Sequence, residues 1–243
     1  MSTVSILGLP IRNVTMEEAV QDVSRFFEER SSRIVVTPNA EILQSYTKDP
    51  KVKDALMQAD YVIPDGIGVI IAARKLKTPL KEKVAGVELA AHLIELSAAE
   101  GKRVYFLGAK PGIAQKAKEN FLGKHPDLQV VGLRDGYFKP EEEPAIIEEI
   151  NGLDVDMLFV CLGAPRQEIW MSEHRTDLKV GVMLGLGGSL DVFAGAVKRA
   201  PKWMIRLGLE WLYRICKEPW RIKRVMELPF FLMSIKRKAK KQN

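Results

Sequence analysis

Short apolar runs separated by amphipathic stretches dominate the first two hundred positions. Ile34-Val35-Val36, Tyr61-Val62-Ile63, Val104-Tyr105-Phe106-Leu107, Leu158-Phe159-Val160-Cys161-Leu162 and Val182-Met183-Leu184 are continuous rather than alternating. Continuous runs of that length suit strands buried on both faces. The pattern predicts strands over Arg33–Thr37, Tyr61–Ile63, Arg103–Leu107, Gln129–Gly132, Met157–Leu162 and Val180–Leu184. Between them lie helical patterns over Thr15–Arg30, Val87–Glu100, Gly112–Lys124, Glu142–Asn151 and Arg166–Arg175, the first opened by Thr15 with Glu18 at capping-box spacing. Strands alternating with helices of this length imply βαβ units. The expected fold is α/β, a mostly parallel, Rossmann-like sheet with helices on both faces.

The pattern ends near Gly195–Pro201, which divides the chain into a core over 1–200 and an appendage over 201–243. Charge divides it at the same place. The tail holds twelve Lys/Arg against three Asp/Glu, a balance of +9 that leaves −3 for the remainder of a chain whose net charge is +6. Trp203, Trp211 and Trp220 lie there too, with Leu228-Pro229-Phe230-Phe231 and a lysine-rich end. Aromatic and aliphatic residues interleaved with cations suit a helical segment resting on an anionic membrane surface, with Trp220, Phe230, Phe231 and the terminal lysines at the lipid. A nucleic-acid-binding tail would be basic without that apolar content. The alternative is a helical pair packing its apolar residues on the core.

Other features narrow the field. Cys161 and Cys216 stand far apart without metal-type neighbours, so neither a zinc site nor a disulfide framework is indicated. His92, His125 and His174 are scattered, and no metal is expected. Asp154-Val155-Asp156 has the spelling of a metal-binding pair but precedes a buried strand, and reads as surface turn chemistry. The amino-terminal stretch lacks the pattern of a signal peptide and no apolar run reaches membrane-spanning length, which makes a cytoplasmic protein the default.

Chemistry concentrates where the strands end. Tyr61-Val62-Ile63 runs into Pro64-Asp65-Gly66-Ile67-Gly68, a carboxylate on a tight turn, and in open α/β sheets ligands collect at such ends. The alternative is that Asp65 caps the next helix. Thr37 and Asn39 follow Ile34-Val35-Val36, Gly108 follows Leu107, and Gly163, Arg166 and Gln167 follow Leu162. Gly185, Gly187, Gly188, Ser189 and Asp191 follow Leu184, and read as a diphosphate cradle ahead of a helix. That stretch is neither a P-loop nor a dinucleotide fingerprint, so a redox cofactor or a phosphate-hydrolysing motor is poorly supported and no cofactor is expected. Thr37, Asn39 and Gln167 can exchange hydrogen bonds with sugar hydroxyls or an acetamido group, and Asp65 can take a proton. Helix capping by Asn39 and a solvent-facing Gln167 are the plainer alternatives.

Five ordered blocks carry a further signal: Thr37-Pro38-Asn39-Ala40-Glu41, Pro64 to Gly68, Val84-Ala85-Gly86-Val87-Glu88, Gly163-Ala164-Pro165-Arg166-Gln167-Glu168, and Gly185 to Asp191 followed by Lys198-Arg199-Ala200-Pro201. Together they resemble the WecG/TagA/CpsF family of bacterial glycosyltransferases, its TagA-like branch in particular. The resemblance implies transfer of N-acetylmannosamine from its UDP derivative to N-acetylglucosamine on a diphosphoundecaprenol lipid, an early step of wall teichoic acid synthesis. It implies a UDP-sugar donor, a polyprenyl-diphosphate-linked acceptor, and a place on the inner face of the cell membrane; a homo-oligomer stays open. An α-linked donor and β-linked product require inversion, hence a base, Asp65, and charge stabilisation for departing UDP. Lys83 stands where the family's pattern leads one to expect arginine. Arg214, Arg221 and Arg224 of the tail are the arginines available to a diphosphate. Two alternatives remain: the same family with UDP-N-acetylmannosaminuronic acid or UDP-glucose as donor, and a non-catalytic nucleotide-binding scaffold on the membrane.

Overall fold

The computed structural model describes residues 2–217 and 231–235. The chain opens with a hairpin absent from the expected elements: strands β1 (Thr3–Ile6) and β2 (Leu9–Arg12) pair antiparallel. Both turn residues are left-handed, Leu7 at φ 56° and Gly8 at φ 101°. That is the geometry favoured in two-residue hairpins, made here without the usual Asn-Gly spelling. Val4, Ile6, Leu9 and Ile11 alternate inward and are buried.

Helix α1 (Met16–Ser24) carries the anticipated capping box between Thr15 and Glu18, then tightens into a 3₁₀ turn over Arg25–Glu28. The main sheet comprises β3 (Arg33–Val36), β4 (Tyr61–Val62), β5 (Arg103–Gly108), β6 (Gln129–Arg134), β7 (Met157–Cys161) and β8 (Val182–Gly185). All six are parallel, in the order β4-β3-β8-β7-β5-β6. Helices α2 (Ala40–Lys48) and α3 (Pro50–Met57) join β3 to β4, and α4 (Ile67–Lys75) and α5 (Gly86–Glu100) join β4 to β5. The remaining crossovers are α6 (Ile113–Leu122), α7 (Glu143–Asn151) and α8 (Arg166–Glu173). Short α9 (Ser189–Phe193) follows β8, and α10 (Lys202–Arg206) and α11 (Glu210–Lys217) begin the tail.

Period-two side-chain alternation splits the core into two layers. Ile34 and Val36 face one layer, with the hairpin and residues of α2, α4, α7 and α8; Val35 faces the other, with α1, α5, α6 and α9. The fold is therefore the expected α/β sheet with helices on both faces.

The tail departs from its expected role at one point. Phe231, assigned from the sequence to the lipid surface, is fully buried, and so is Ile235 one helical turn on. Both join the layer that holds the hairpin, and Leu232 packs beside them. The i, i+4 spacing puts both side chains on one face, and burying a phenylalanine contributes about 2 kcal/mol, so core packing wins for this face. Trp203, Leu207, Trp211 and Leu212 remain exposed. Among the described residues no helix is long and apolar enough to cross a membrane.

Candidate active site

The connection after β3 leads to α2 on one face of the sheet, and the connection after β8 leads to α9 on the other. Adjacent strands whose chains leave to opposite faces open a crevice between their carboxyl ends, the place where ligands bind in such sheets. Thr37 spans it. Its hydroxyl donates to the Gly185 carbonyl at 3.0 Å. Against its other side lies the start of α5, where a Cβ on Gly86 would meet Thr37 Cγ2 at 2.9 Å. Only glycine lets that helix end come so close.

Asp65 reaches this assembly through Gly86, whose amide lies 3.5 Å from Asp65 Oδ2. The cap position of α4 falls on Gly66, at φ 81°, so this partner of the carboxylate belongs to a different helix from the one it precedes. The Val84 amide donates to the Pro64 carbonyl at 3.1 Å, which sets half-buried Lys83 next to a residue bonded to the Asp65 turn. Asn39 is exposed and plays the plainer part: its Oδ1 accepts the Ile42 amide at 3.0 Å and caps α2. Its Cβ also lies 3.6 Å from where a Cβ on Gly66 would stand, so cap and Asp65 turn are neighbours.

Gln167 is buried, not solvent-facing. Its Oε1 accepts the Gly187 amide at 2.8 Å and its Nε2 donates to Glu168 Oε1 at 2.8 Å. The glycine turn after β8 is thus tied to α8. The Ser189 hydroxyl turns back to donate to the Leu186 carbonyl at 2.7 Å, and the Leu186 amide donates to Val160. These N–H and O–H groups, expected to face a diphosphate, are engaged within the protein. What the turn offers is space: Gly187 stands at φ 53° with no atom within 4 Å of an added Cβ, and Gly163 is equally open at φ 78°. Gly108 is closed, since a Cβ there would fall 2.3 Å from the Cys161 carbonyl oxygen. Arg166 is exposed, donates to the Gly136 carbonyl at 2.9 Å and stacks on Phe138 at 4.8 Å. Asp191 is half-buried on α9, its carbonyl accepting the Val197 amide.

Among the described residues the tail meets the site at two points. The backbone of Gly208, at φ 72°, packs so closely on Ile67 that a Cβ would lie 3.0 Å from its Cγ1. Arg199 pairs with Glu88 on α5 at 3.0 Å and with Glu210 at the start of α11 at 3.7 Å. Arg214 lies on α11, with its side chain beyond what the structure describes; Arg221 and Arg224 lie outside the described residues.

Sequence reading passed over Glu168, Gly86, Arg199 and Gly208 as individual site residues. Glu168 is 1% exposed, and its Oε2 has no hydrogen-bond partner. Burial pushes its carboxyl up to about 7, against the smaller opposing effect of the Gln167 amide. Cys161, beneath the same strand ends, is pushed by burial up to about 12 and stays an inert thiol. Elsewhere the structure corrects the turn reading of Asp156. It is buried at the opposite end of the sheet, accepts the Arg103 amide at 2.7 Å and pairs with Arg30 at 2.9 Å. His174 Nε2 lies 2.8 Å from Glu143. Among the described residues no group of three or more His, Cys, Asp or Glu could hold a metal ion.

The family model for the Glycosyl transferase WecG/TagA/CpsF family matches residues 4–243. The chain belongs to that family. It is 32% identical over 241 residues to the N-acetylglucosaminyldiphosphoundecaprenol N-acetyl-beta-D-mannosaminyltransferase of Bacillus subtilis (strain 168), covering 99% of this chain and 93% of the relative. To the protein of the same name from Staphylococcus aureus (strain MW2) it is 35% identical over 243 residues, covering 98% and 95%. As a WecG/TagA/CpsF member the protein is a glycosyltransferase, and the crevice at Thr37, Asp65 and the glycine turn is its candidate active site.

Proposed function

We propose that this glycosyltransferase moves N-acetylmannosamine from UDP-N-acetylmannosamine to N-acetylglucosamine on diphosphoundecaprenol, with inversion and without a metal ion, for wall teichoic acid synthesis. The observation that carries the reading is the Asp65 turn beside the switch-point crevice, joined to it through Gly86 and Thr37. The names of the full-length relatives supply the substrate class.

In this reading Asp65 takes the proton of the attacking acceptor hydroxyl. The acceptor oxygen bonds to the sugar's anomeric carbon as that carbon's bond to the UDP oxygen breaks on the opposite side, and UDP departs with the electron pair. Thr37, with its hydroxyl on Gly185, and Asn39, with its Oδ1 on α2, hold the walls between which the sugar lies. The nucleotide diphosphate passes over Gly163 and Gly187, where no side chain intrudes. The leaving charge is met by Lys83 and by Arg214, Arg221 and Arg224. Residues 201–243 act as an appendage that brings those arginines to the core. The tail also rests on the inner face of the membrane: exposed Trp203, Leu207 and Trp211 stand among Lys202, Arg206 and Lys217, the mixture an anionic surface attracts.

The test is incubation with UDP-N-acetylmannosamine, UDP-N-acetylmannosaminuronic acid and UDP-glucose, each with a short-chain lipid-diphosphate-N-acetylglucosamine. A β-linked N-acetylmannosaminyl product that forms undiminished in chelator is expected. A product from another donor alone replaces the donor assignment. Loss of activity in chelator, restored by magnesium or manganese, overturns metal independence. Transfer from none leaves a nucleotide-binding scaffold.

A further inference from the structure

Glu168 lies in the first turn of α8, where carboxylates are common, yet it faces inward. An acid so deeply buried is rare without a partner of opposite charge. Its hydrogen bond is to the neighbouring Gln167 amide, and Oε2 has none. The pair makes a short relay with one possible sense. Gly187 presents an N–H, so the atom of Gln167 that meets it must be the oxygen. The amide nitrogen then necessarily points the other way, and what it meets is Glu168 Oε1. An acceptor at position 168 therefore selects which way round the Gln167 amide stands. Without one, the amide can rotate and set its NH₂ against the Gly187 N–H, donor against donor.

The relay touches β8 at a second place. A Cβ on Gly185 would lie 3.0 Å from Gln167 Nε2, so the amide also packs against the strand end to which Thr37 is bonded. One side chain thus braces both ends of the glycine turn. We propose that Glu168 is a positioning residue: its buried carboxyl orients the Gln167 amide, and through it holds the Gly185–Gly188 turn in the open form that admits substrate. That this substrate is a nucleotide diphosphate rests on the function proposed above.

The experiment compares the full chain with Glu168→Gln and Glu168→Met. Glutamine keeps an acceptor oxygen at the site; methionine fills the space without a comparable one. The first readout needs no nucleotide: hydrogen exchange of the Gly187 amide, followed in protein labelled with ¹⁵N-glycine. Protection is expected to persist in Glu168→Gln and to fall about tenfold or more in folded Glu168→Met, the scale of one lost hydrogen bond. The second readout is UDP affinity by calorimetry with donor KM and kcat. Glu168→Met should weaken UDP and raise donor KM about tenfold while kcat at saturating donor changes less than about threefold, and Glu168→Gln should restore both.

Unchanged Gly187 protection in Glu168→Met overturns the proposal. Lost protection with unaltered UDP binding upholds the positioning role and removes the nucleotide from the turn, which is a failure of the functional reading alone. Should Glu168→Met not fold, Gln167→Leu gives the decision. It must expose Gly187 to exchange in the same way, and full protection there refutes the relay.

Discussion

Asp60 and Asp65 bracket a single short strand, β4, and the structure treats them in opposite ways. Asp60 precedes it. One carboxylate oxygen accepts the Ile34 amide at 2.8 Å, and the other receives Arg33 and Arg175, each at 2.9 Å. Burial alone would raise its carboxyl, but the Ile34 amide and the two guanidiniums outweigh that and hold it below the usual carboxylate range. Asp156 repeats the arrangement before β7, with the Arg103 amide and Arg30. Asp65 follows the strand and lies on a turn, where the Gly86 amide at the start of another helix stands 3.5 Å from its Oδ2.

The reason is the polarity of a parallel sheet. Its amino ends present unpaired N–H groups, which want carboxylates; its carboxyl ends present unpaired C=O groups, which want donors such as the Thr37 hydroxyl. A carboxylate at the carboxyl end thus meets few strand donors. Glu168 shows the result in the extreme, a buried acid with one oxygen unmet.

The sharpest way to break the comparison is to exchange the two roles. Asp65→Asn keeps the shape of the turn and removes the proton acceptor, so turnover should fall about 10³-fold with UDP binding and melting temperature near those of the parent. Near-normal turnover in a steady-state assay removes Asp65 from the base role. Asp60→Ala should do the reverse. It leaves two guanidiniums and a strand amide without their partner and should cost about 3 kcal/mol in urea unfolding, while kcat of the folded enzyme stays within about threefold. A silent Asp60→Ala means that the amino-end cluster adds nothing to stability.

The two ends should also respond to pH with opposite slopes. The Asp60 carboxyl is depressed in the folded protein. Its contribution is therefore present above the ordinary carboxylate range and lost as pH falls through the folded value, a dependence that Asp60→Asn should remove. The Glu168 carboxyl is raised from 4.5 to about 7, so the folded state holds a proton that the unfolded chain has released. Stability should fall by up to about 3 kcal/mol as pH rises from about 4.5 to about 7, then level off. Urea titrations of Glu168→Gln should lack that decline; a decline that persists places its source elsewhere.

The smallest expected effect belongs to Gly187→Val. No atom lies within 4 Å of an added Cβ, so the cost expected is the left-handed backbone at φ 53°, about 1–2 kcal/mol. The valine would still stand where the diphosphate is proposed to pass. Calorimetry should show UDP binding weakened about tenfold, and unchanged binding in the folded variant moves the nucleotide away from this turn.

Much of this was written locally in the chain. Continuous apolar runs marked five of the six parallel strands, since only strands buried on both faces can be apolar throughout; β6, at the sheet edge, has no such run, and the Thr15/Glu18 box marked the start of α1. The glycines and polar residues after those runs marked which end of the sheet would carry the chemistry. The hairpin at Thr3–Arg12 was missed: Val4, Ile6, Leu9 and Ile11 do alternate, but the Leu7-Gly8 turn between them lacks the spelling that announces a hairpin. The Asn39 cap on α2 was legible locally, but what the other strand-end residues do was not. Nothing in Pro165-Arg166-Gln167-Glu168 tells that Gln167 and Glu168 turn inward while Arg166 turns out, because that depends on how α8 lies across β8. Phe231 and Ile235 could have faced lipid or core on composition alone; the apolar layer beside the hairpin, assembled from residues two hundred positions away, decided for the core. Periodicity reports which residues share a face, and only the tertiary fold determines what that face meets.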